Sequence, residues 1–379
     1  MTNNDQQKGK SPSISACSFA QAVSAITAIE LLVETCKAAR DSIFNHPQST
    51  EDPPPLPVLH QDLLSLLSLV YGSVTKLSLT LKPSSPTYSA CLVPLQDLSN
   101  YIAAISHCVS MFDASVHGAT LAKEVASVAI DVVETVQTLT TVFLQIEGSS
   151  ERSRTGDEYL VRTGAVHSVI DIARHADGGL SENNLTAVRR LWFKDAGALE
   201  DGVREVVEMI EDVQSGITTE SEDGWDELGL EPSQPLTEQE LKVAQKVLIV
   251  LRLCNILHQR VISDILSTPT LLSNSSLDDL APLSPALLGT VDELISALDS
   301  PQDLDSVTTE LNMLKGVIDN IRNRLSVLNN QPVSLVTLLQ KTSLNEVTVS
   351  TNRNSRDGWF NACFDQIAKA IHSAAEASN

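Results

Sequence analysis

The run of residues from 237 to 267 constrains the fold of this chain most strongly. It opens with Thr237 and, three residues later, Glu240, the pattern of a capping box in which each side chain bonds a backbone donor left free at a helix start. Apolar residues then recur along two adjoining stripes, so that more than the usual third of the circumference is apolar. We therefore predict one long helix, about 45 Å in length at roughly 1.5 Å per residue, that lies centrally in a bundle with neighbours on several sides.

Helical spacing of apolar residues also marks most of the remaining chain. Seven-residue repeats run through residues 63–81, 185–213 and 304–328. Residues 121–146 are rich in β-branched side chains, which favours a strand, but their polar residues also recur every three or four positions, which a two-residue alternation cannot produce. No segment is convincing as a strand, so we predict an all-α protein built from up-and-down helical bundles.

Chain length and local composition predict two bundle domains joined by an acidic loop. At 379 residues, the chain exceeds the size at which a single hydrophobic core usually keeps growing. Residues 215–235 lack sustained periodicity and separate two strongly periodic regions. We expect a disordered N-terminus at 1–17, a first bundle at 18–214, an acidic loop at 215–235, a second bundle at 236–379 and, within it, a polar loop at 348–355 before the last helix.

The charge of the chain restricts its partners. The formal net charge is −22, and residues 200–240 contain fourteen acidic residues against one basic residue, Arg204. Nucleic acids and anionic membranes are bound through Lys and Arg side chains that neutralise phosphate, so this balance disfavours both as ligands. We expect protein partners, with the acidic stretch from Glu200 to Glu231 steering those that carry basic surfaces.

Cysteine usage and the start of the chain indicate a reducing compartment. The six cysteines form no CxxC pair, and most lie at apolar helical positions, where they act as small hydrophobic residues. The polar first residues contain no apolar signal core, which argues against secretion. Residues 63–81 resemble a membrane span in their apolar content, but Ser and Thr lie between the heptad positions, which favours an amphipathic helix and no span.

A tryptophan among carboxylates makes the predicted acidic loop the candidate interaction site. The candidate residues are Glu222, Asp223, Trp225, Asp226, Glu227, Leu228 and Leu230. A large aromatic side chain in such a segment either docks the loop onto its own domain or recognises a partner. We favour docking, because the nearest surface is the easiest place to bury an indole, and recognition is the alternative.

The sequence contains no familiar catalytic or cofactor-binding motif. GxxxxGK, GxGxxG, GxSxG and HExxH are all absent. The nearest metal-like pattern is His167, Asp171 and His175, but the two histidines would lie about 12 Å apart along one helix, too far to share an ion. Cys254 and His258 lie four residues apart in the long helix at 237–267, where packing is the favoured role. We therefore predict no catalytic, cofactor or metal site and no enzymatic activity.

Five short motifs follow one another in a distinctive order. They are His117-Gly118-Ala119-Thr120-Leu121, the acidic DELGL at 226–230, Glu238-Gln239-Glu240-Leu241, Leu277-Asp278-Asp279-Leu280 and Asp357-Gly358-Trp359. In the order and spacing of these motifs, from about residue 18 to its end, the chain resembles the cyclin-D-binding protein family, also called GCIP or Id-like HHM proteins.

The resemblance implies an all-helical protein of two bundle domains, similar to talin-like and I/LWEQ-like bundles, without enzymatic activity. It also implies a negative regulator of cell-cycle progression, in nucleus and cytoplasm, that binds D-type cyclins and helix-loop-helix transcription factors and lacks a basic DNA-contacting region. The alternative from another class is a talin-like scaffold or adaptor in the cytoskeleton or in trafficking.

Overall fold

The computed structural model describes residues 13–45, 53–148, 157–175, 178–215, 236–267, 272–330 and 346–378. Every regular element in these ranges is helical, so the prediction of an all-α fold is confirmed. The chain divides into two compact units, residues 1–183 and residues 184–379. Most of the predicted N-terminal tail and of the predicted acidic loop lies outside the described residues.

Within the described residues, the first unit is a closed ring of five long helices. They are α1 (Ser13–Asn45), α2 (Leu56–Thr80), α3 (Tyr88–Ser110), α5 (Ala119–Gly148) and α6 (Glu158–Arg174), and the short α4 (Ala114–His117) packs against α5. Around the ring, α1 contacts α3, α3 contacts α2, α2 contacts α6, α6 contacts α5, and α5 contacts α1. Each helix thus has a neighbour on both sides and turns its apolar stripe towards a shared core.

Helix α2 shows how the heptad spacing builds this core. Leu63, Leu67, Val70, Val74 and Leu77 are all fully buried. By length and composition alone, both α2 and α5 could also cross a membrane, a property they share with core helices. In the structure both are members of the ring, and both contribute to the core of the first unit.

The second unit is also a ring of five long helices in the part of the chain that the structure describes. They are α7 (Asn184–Ser215), α8 (Glu238–Arg260), α10 (Leu283–Ser296), α11 (Leu304–Asn330) and α12 (Glu346–Ser378), with the short α9 (Asn274–Leu280) packed mainly against α7 and α11. Around this ring, α7 contacts α8, α8 contacts α12, α12 contacts α11, α11 contacts α10, and α10 contacts α7.

The predicted capping box at the start of α8 is present. The backbone N–H of Thr237 donates to Oε2 of Glu240 at 2.6 Å, and the backbone N–H of Glu240 donates to Oγ1 of Thr237 at 3.3 Å. The other carboxylate oxygen of Glu240 accepts the backbone N–H of Gln302 at 2.8 Å. One carboxylate therefore caps α8 and also holds the segment that leads into α11.

Two features of the predicted long helix at 237–267 differ in the structure. The α-helix ends at Arg260 and continues as a single π-helical stretch, Val261–Ile265, in which the N–H of Leu266 donates to the carbonyl of Val261. The helix is also a member of the ring and does not lie at its centre, since Ile249 and Ile256 stay 49% and 46% exposed. The second apolar stripe, which suggested a central position, is fully buried at Val243, Val247 and Leu257, so a place in the ring is enough to cover it.

The polar loop expected at residues 348–355 lies inside α12, so that prediction is wrong. This stretch is polar, but it contains no proline and no glycine. Polar composition alone therefore did not identify a helix end here.

The structure divides the chain at a different residue from the predicted boundary at 214. Helix α7 was assigned to the first bundle, but it packs against α8, α9 and α10 and belongs to the second unit from Asn184 onwards. The contact with α10 is close at Gly202, where a Cβ atom would lie 2.7 Å from Cδ1 of Ile295. The absence of a side chain at this glycine lets the two helices approach each other, which offsets its low helix propensity.

Two glycines of α7 give a matched test of this packing. Gly197 is exposed, and a Cβ atom there would meet nothing within 4 Å, so Gly197→Ala should raise the free energy of unfolding by about 0.5–1 kcal/mol. Gly202→Ala should gain less or lose stability, because Ile295 must move. Urea unfolding followed by circular dichroism measures both, and an equal gain for the two variants would contradict the close approach of α7 and α10.

Candidate functional site

The candidate interaction residues predicted from the sequence lie outside the described residues. These are Glu222, Asp223, Trp225, Asp226, Glu227, Leu228 and Leu230. The described chain ends at Ser215, the last residue of α7, and resumes at Leu236, just before α8. The acidic stretch that begins at Glu200 is, however, described over its first half, because residues 200–215 belong to α7.

The C-terminal half of α7 carries an exposed acidic surface. We call it the acidic face; it comprises Glu200, Asp201, Glu205, Glu208, Glu211 and Asp212, all of them exposed. The nearby Arg204 lies 2.5 Å from a carboxylate oxygen of Asp201 and 3.9 Å from one of Glu208. One cation therefore serves six carboxylates, which leaves a strongly negative strip along about three turns of helix.

The distribution of charged residues along α7 lowers the intrinsic stability of this helix. The helix has no acidic residue in its first turn and no basic residue in its last, whereas Arg189, Arg190 and Lys194 lie in its N-terminal half. Carboxylates near a helix C-terminus and like charges three or four residues apart each cost a few tenths of a kcal/mol or more. The acidic face therefore has to be held in place by the buried side of the same helix.

Trp192 anchors that buried side. Its side chain is fully buried, its Nε1–H donates to the carbonyl of Leu280 at 3.1 Å, and its ring stacks on His258 with centroids 4.8 Å apart. One end of α7 is fixed as well, because Nδ2 of Asn184 donates to the carboxylate of Asp278 at 3.0 Å. Contacts to both α8 and α9 thus fix the position of α7 within the second unit.

Beside Trp192 lies a buried polar cluster that sequence reasoning missed. Nε2 of His258 is 2.8 Å from Oγ of Ser284, and this hydroxyl donates to Oδ2 of Asp195 at 2.7 Å. His258 and Ser284 are fully buried and Asp195 is 7% exposed. The three residues come from α8, α10 and α7, so no local motif connects them in the sequence.

The order of the three groups does not suit nucleophilic catalysis. In a catalytic triad, the histidine takes the serine proton and the carboxylate orients the histidine. Here Ser284 lies in the middle and donates its proton to Asp195, so His258 must donate from Nε2, and its buried Nδ1 has no partner within the described residues. The cluster joins three helices, and it is not arranged to activate Ser284.

The histidines and aspartate of the metal-like pattern on α6 line an open groove of about 600 Å³. The ring of His167 stacks on Tyr71 at 3.8 Å between centroids, and its Nε2 lies 3.1 Å from Oγ1 of Thr75. Asp171 lines the same groove further along α6, and His175 lines it from the extended residue that follows the end of the helix. Across the described residues, no three His, Cys, Asp or Glu side chains are placed to share a metal ion.

The cysteines with described side chains are buried and form no disulfide with one another. Burial raises the pKa of Cys36 and of Cys254 to about 12, with Cys363 adding to the shift of Cys254. Burial also raises the pKa of Cys108 to about 11, with a smaller contribution from Asp62, and that of Cys363 to about 11. These thiols stay protonated at neutral pH and pack as small hydrophobic residues.

Comparison with known protein families identifies the family to which this chain belongs. A model described as Grap2 and cyclin-D-interacting, N-terminal, matches residues 62–212, and its C-terminal counterpart matches residues 221–323. The chain belongs to the Grap2 and cyclin-D-interacting family. The resemblance stated from the sequence motifs is therefore confirmed. No individual curated protein matches the chain.

In this member of the family, the described motifs act as structural joints. In the first unit, Nε2 of His117 lies 3.2 Å from the carbonyl of Pro54, and Gly118 adopts a φ of 98° that favours glycine. His117 thereby connects α4 to the segment that enters α2, and Gly118 forms the turn between α4 and α5. The acidic DELGL motif lies outside the described residues.

The motifs of the second unit connect its helices. Leu277 and Leu280 are buried, while Asp279 forms a 2.8 Å ion pair with Arg324 of α11. Near the end of α8, Trp359 of the DGW motif lies under the guanidinium of Arg260 at 4.8 Å. In the described part of this chain, these motifs thus serve mainly to pack helices against one another.

The two family models and the packing place the division of the chain differently. The models are separated at residues 213–220, within the acidic stretch, whereas the packing separates the units at Asn184. Helix α7 therefore falls within the N-terminal family model but packs in the second unit.

The buried histidine predicts a specific dependence of stability on pH. Burial lowers the pKa of His258 to about 4 in the folded protein, with Asp195 opposing the shift, from an ordinary value of 6.5. As the pH falls, His258 therefore takes up a proton in the unfolded chain before it does so in the folded protein. The contribution of His258 to the free energy of unfolding is thus fully present above pH 6.5, falls as the pH drops and levels off near pH 4. The loss from this residue amounts to about 3 kcal/mol.

Urea unfolding between pH 7 and pH 4 tests this prediction with two histidine variants. His258→Gln removes the titrating group and should flatten the pH profile, whatever its effect on stability at pH 7. His372→Gln removes an exposed histidine of α12 as a control. A wild-type profile that matches the His258→Gln profile would contradict the burial of a neutral His258.

Proposed function

We propose that this protein is a non-catalytic regulator that binds partner proteins through the acidic face of α7. The partners we propose are D-type cyclins or related cell-cycle proteins and helix-loop-helix transcription factors, met in nucleus and cytoplasm. Membership of the Grap2 and cyclin-D-interacting family supports a cyclin partner. The net charge of −22 supports a partner whose contact surface is basic.

The observation that carries this proposal is the exposure of six carboxylates on a firmly held helix. A distribution of charge that lowers helix stability is expected where a surface serves binding, and no contact within the described residues requires it here. The buried side of α7 supplies the compensation through Trp192 and Asn184. The acidic face is thus presented on a rigid backbone, which limits the entropy lost when a partner binds.

Electrostatic steering gives the acidic face a kinetic role. Rows of like charge attract an oppositely charged partner before contact, raise the association rate and lose this effect when salt screens them. Glu205, Glu211 and Asp212 are exposed and form no ion pair within the described residues, so their charge remains available to a partner. We therefore expect the association rate to depend on these three side chains more than the dissociation rate does.

The test uses the full-length chain and a purified D-type cyclin, with association and dissociation measured by surface plasmon resonance. Glu205→Gln/Glu211→Gln/Asp212→Asn should lower the association rate about threefold to tenfold at low salt and much less at high salt. The control Glu30→Gln/Asp62→Asn/Asp319→Asn removes the same number of charges from exposed positions outside α7. It should change the rate little.

Two results would overturn the proposal. If the cyclin binds with equal rates to the two triple variants, the acidic face has no steering role. If it does not bind the wild-type chain, the proposed partner is wrong, and a basic helix-loop-helix segment tested in the same way would show whether the surface itself still binds basic partners.

A further inference from the structure

The outward side of α8 carries a second exposed surface, of the opposite charge to the acidic face. We call it the α8 face; it comprises Lys242, Lys246, Ile249, Arg252, Ile256 and Arg260. All six side chains are exposed, and Ile249 and Ile256 are 49% and 46% exposed. The spacing of three and four residues places them along one side of the helix, over about 27 Å.

The middle of this face holds cations that pair with no carboxylate of the described residues. No acidic residue occurs in the sequence between Leu241 and Gln259. At the two ends, Lys242 pairs with Glu238 at 2.9 Å and Arg260 with Asp264 at 3.1 Å. Lys246 and Arg252, between them, take part in no ion pair within the described part of the chain, although the protein as a whole is strongly acidic.

Apolar and basic groups alternate on the α8 face in the pattern that an acidic amphipathic helix would complement. The two isoleucines lie seven residues apart, which matches one heptad of a partner helix packed alongside. Lys246 and Arg252 flank them on opposite sides of the apolar line, where the carboxylates of such a helix would lie. A partner that covers the half-exposed isoleucines and also neutralises the two cations would gain binding free energy from both contacts.

We propose that the α8 face binds an acidic amphipathic helix of a partner protein. The net charge of −22 does not prevent this, because charges more than about 10 Å away are largely screened at moderate ionic strength. This site is separate from the acidic face of α7, which attracts basic partners, and does not depend on the function proposed for that face. The chain would then offer two neighbouring helices of opposite charge, each to a different class of partner.

The experiment uses a synthetic fluorescein-labelled peptide and the full-length chain, with binding followed by fluorescence anisotropy. The peptide is an amphipathic helix with leucine along one side and glutamate elsewhere, and its counterpart carries lysine in place of glutamate. The glutamate peptide should bind saturably. Lys246→Glu/Arg252→Glu should weaken its binding about tenfold or more.

A matched charge reversal at two other sites serves as the control. Lys123→Glu/Lys315→Glu changes the net charge equally, at exposed positions on α5 and on α11, which is not a ring neighbour of α8. It should change the affinity by no more than about twofold. Ile249→Ser/Ile256→Ser should weaken binding without any change in charge, which separates apolar contact from electrostatic attraction, and circular dichroism checks that each variant is folded.

Four outcomes would overturn the proposal. The first is absence of saturable binding to the wild-type chain, and the second is an equal loss in the two charge-reversed variants. In the third, the peptide binds only after the acidic residues of 216–235 are replaced by neutral ones, so that the chain's own segment is the occupant. In the fourth, Lys246→Glu/Arg252→Glu changes the oligomeric state seen by gel filtration, so that a second copy is the occupant.

Discussion

Removal of apolar stripes from water is the constraint on which both units depend. A helix with one wide apolar stripe needs neighbours on both of its flanks, and a ring of five helices provides them for every member at once. The heptad residues of α2 are completely buried in this way. The few polar groups inside the second ring, such as Ser284 and His258, are tolerated because they bond to one another.

Local signals predicted local structure well. The capping box of Thr237 and Glu240 and the heptad of α2 depend on residues within a few positions of one another, and the structure confirms both. Polarity was a weaker guide, because the polar stretch at 348–355 has no helix breaker and continues α12. The width of the apolar surface of α8 was also misleading, because its stripes are buried at Val247 and Leu251 although the helix is a member of the ring and does not lie at its centre.

Pairings between distant parts of the chain could not be predicted from periodicity. The cluster of Asp195, His258 and Ser284 unites residues 89 and 26 positions apart, and each looked like an ordinary position in its own helix. For the same reason, α7 was assigned to the wrong neighbours, since periodicity shows that a helix has an apolar stripe but not which helices cover it. By contrast, composition alone predicted the acidic surface of α7, because the C-terminal half of this helix has one cation for six exposed carboxylates.

The membership of α7 in the second unit has a consequence for any attempt to divide this protein. A cut in the acidic stretch, where the two family models are separated, would leave the C-terminal fragment with a ring open on one side. His258 would lose the indole stacked on it, and the carbonyl of Leu280 would lose its donor. Fragments produced by such a cut should therefore expose apolar surface and aggregate. A cut just before Asn184 would leave both rings of helices intact.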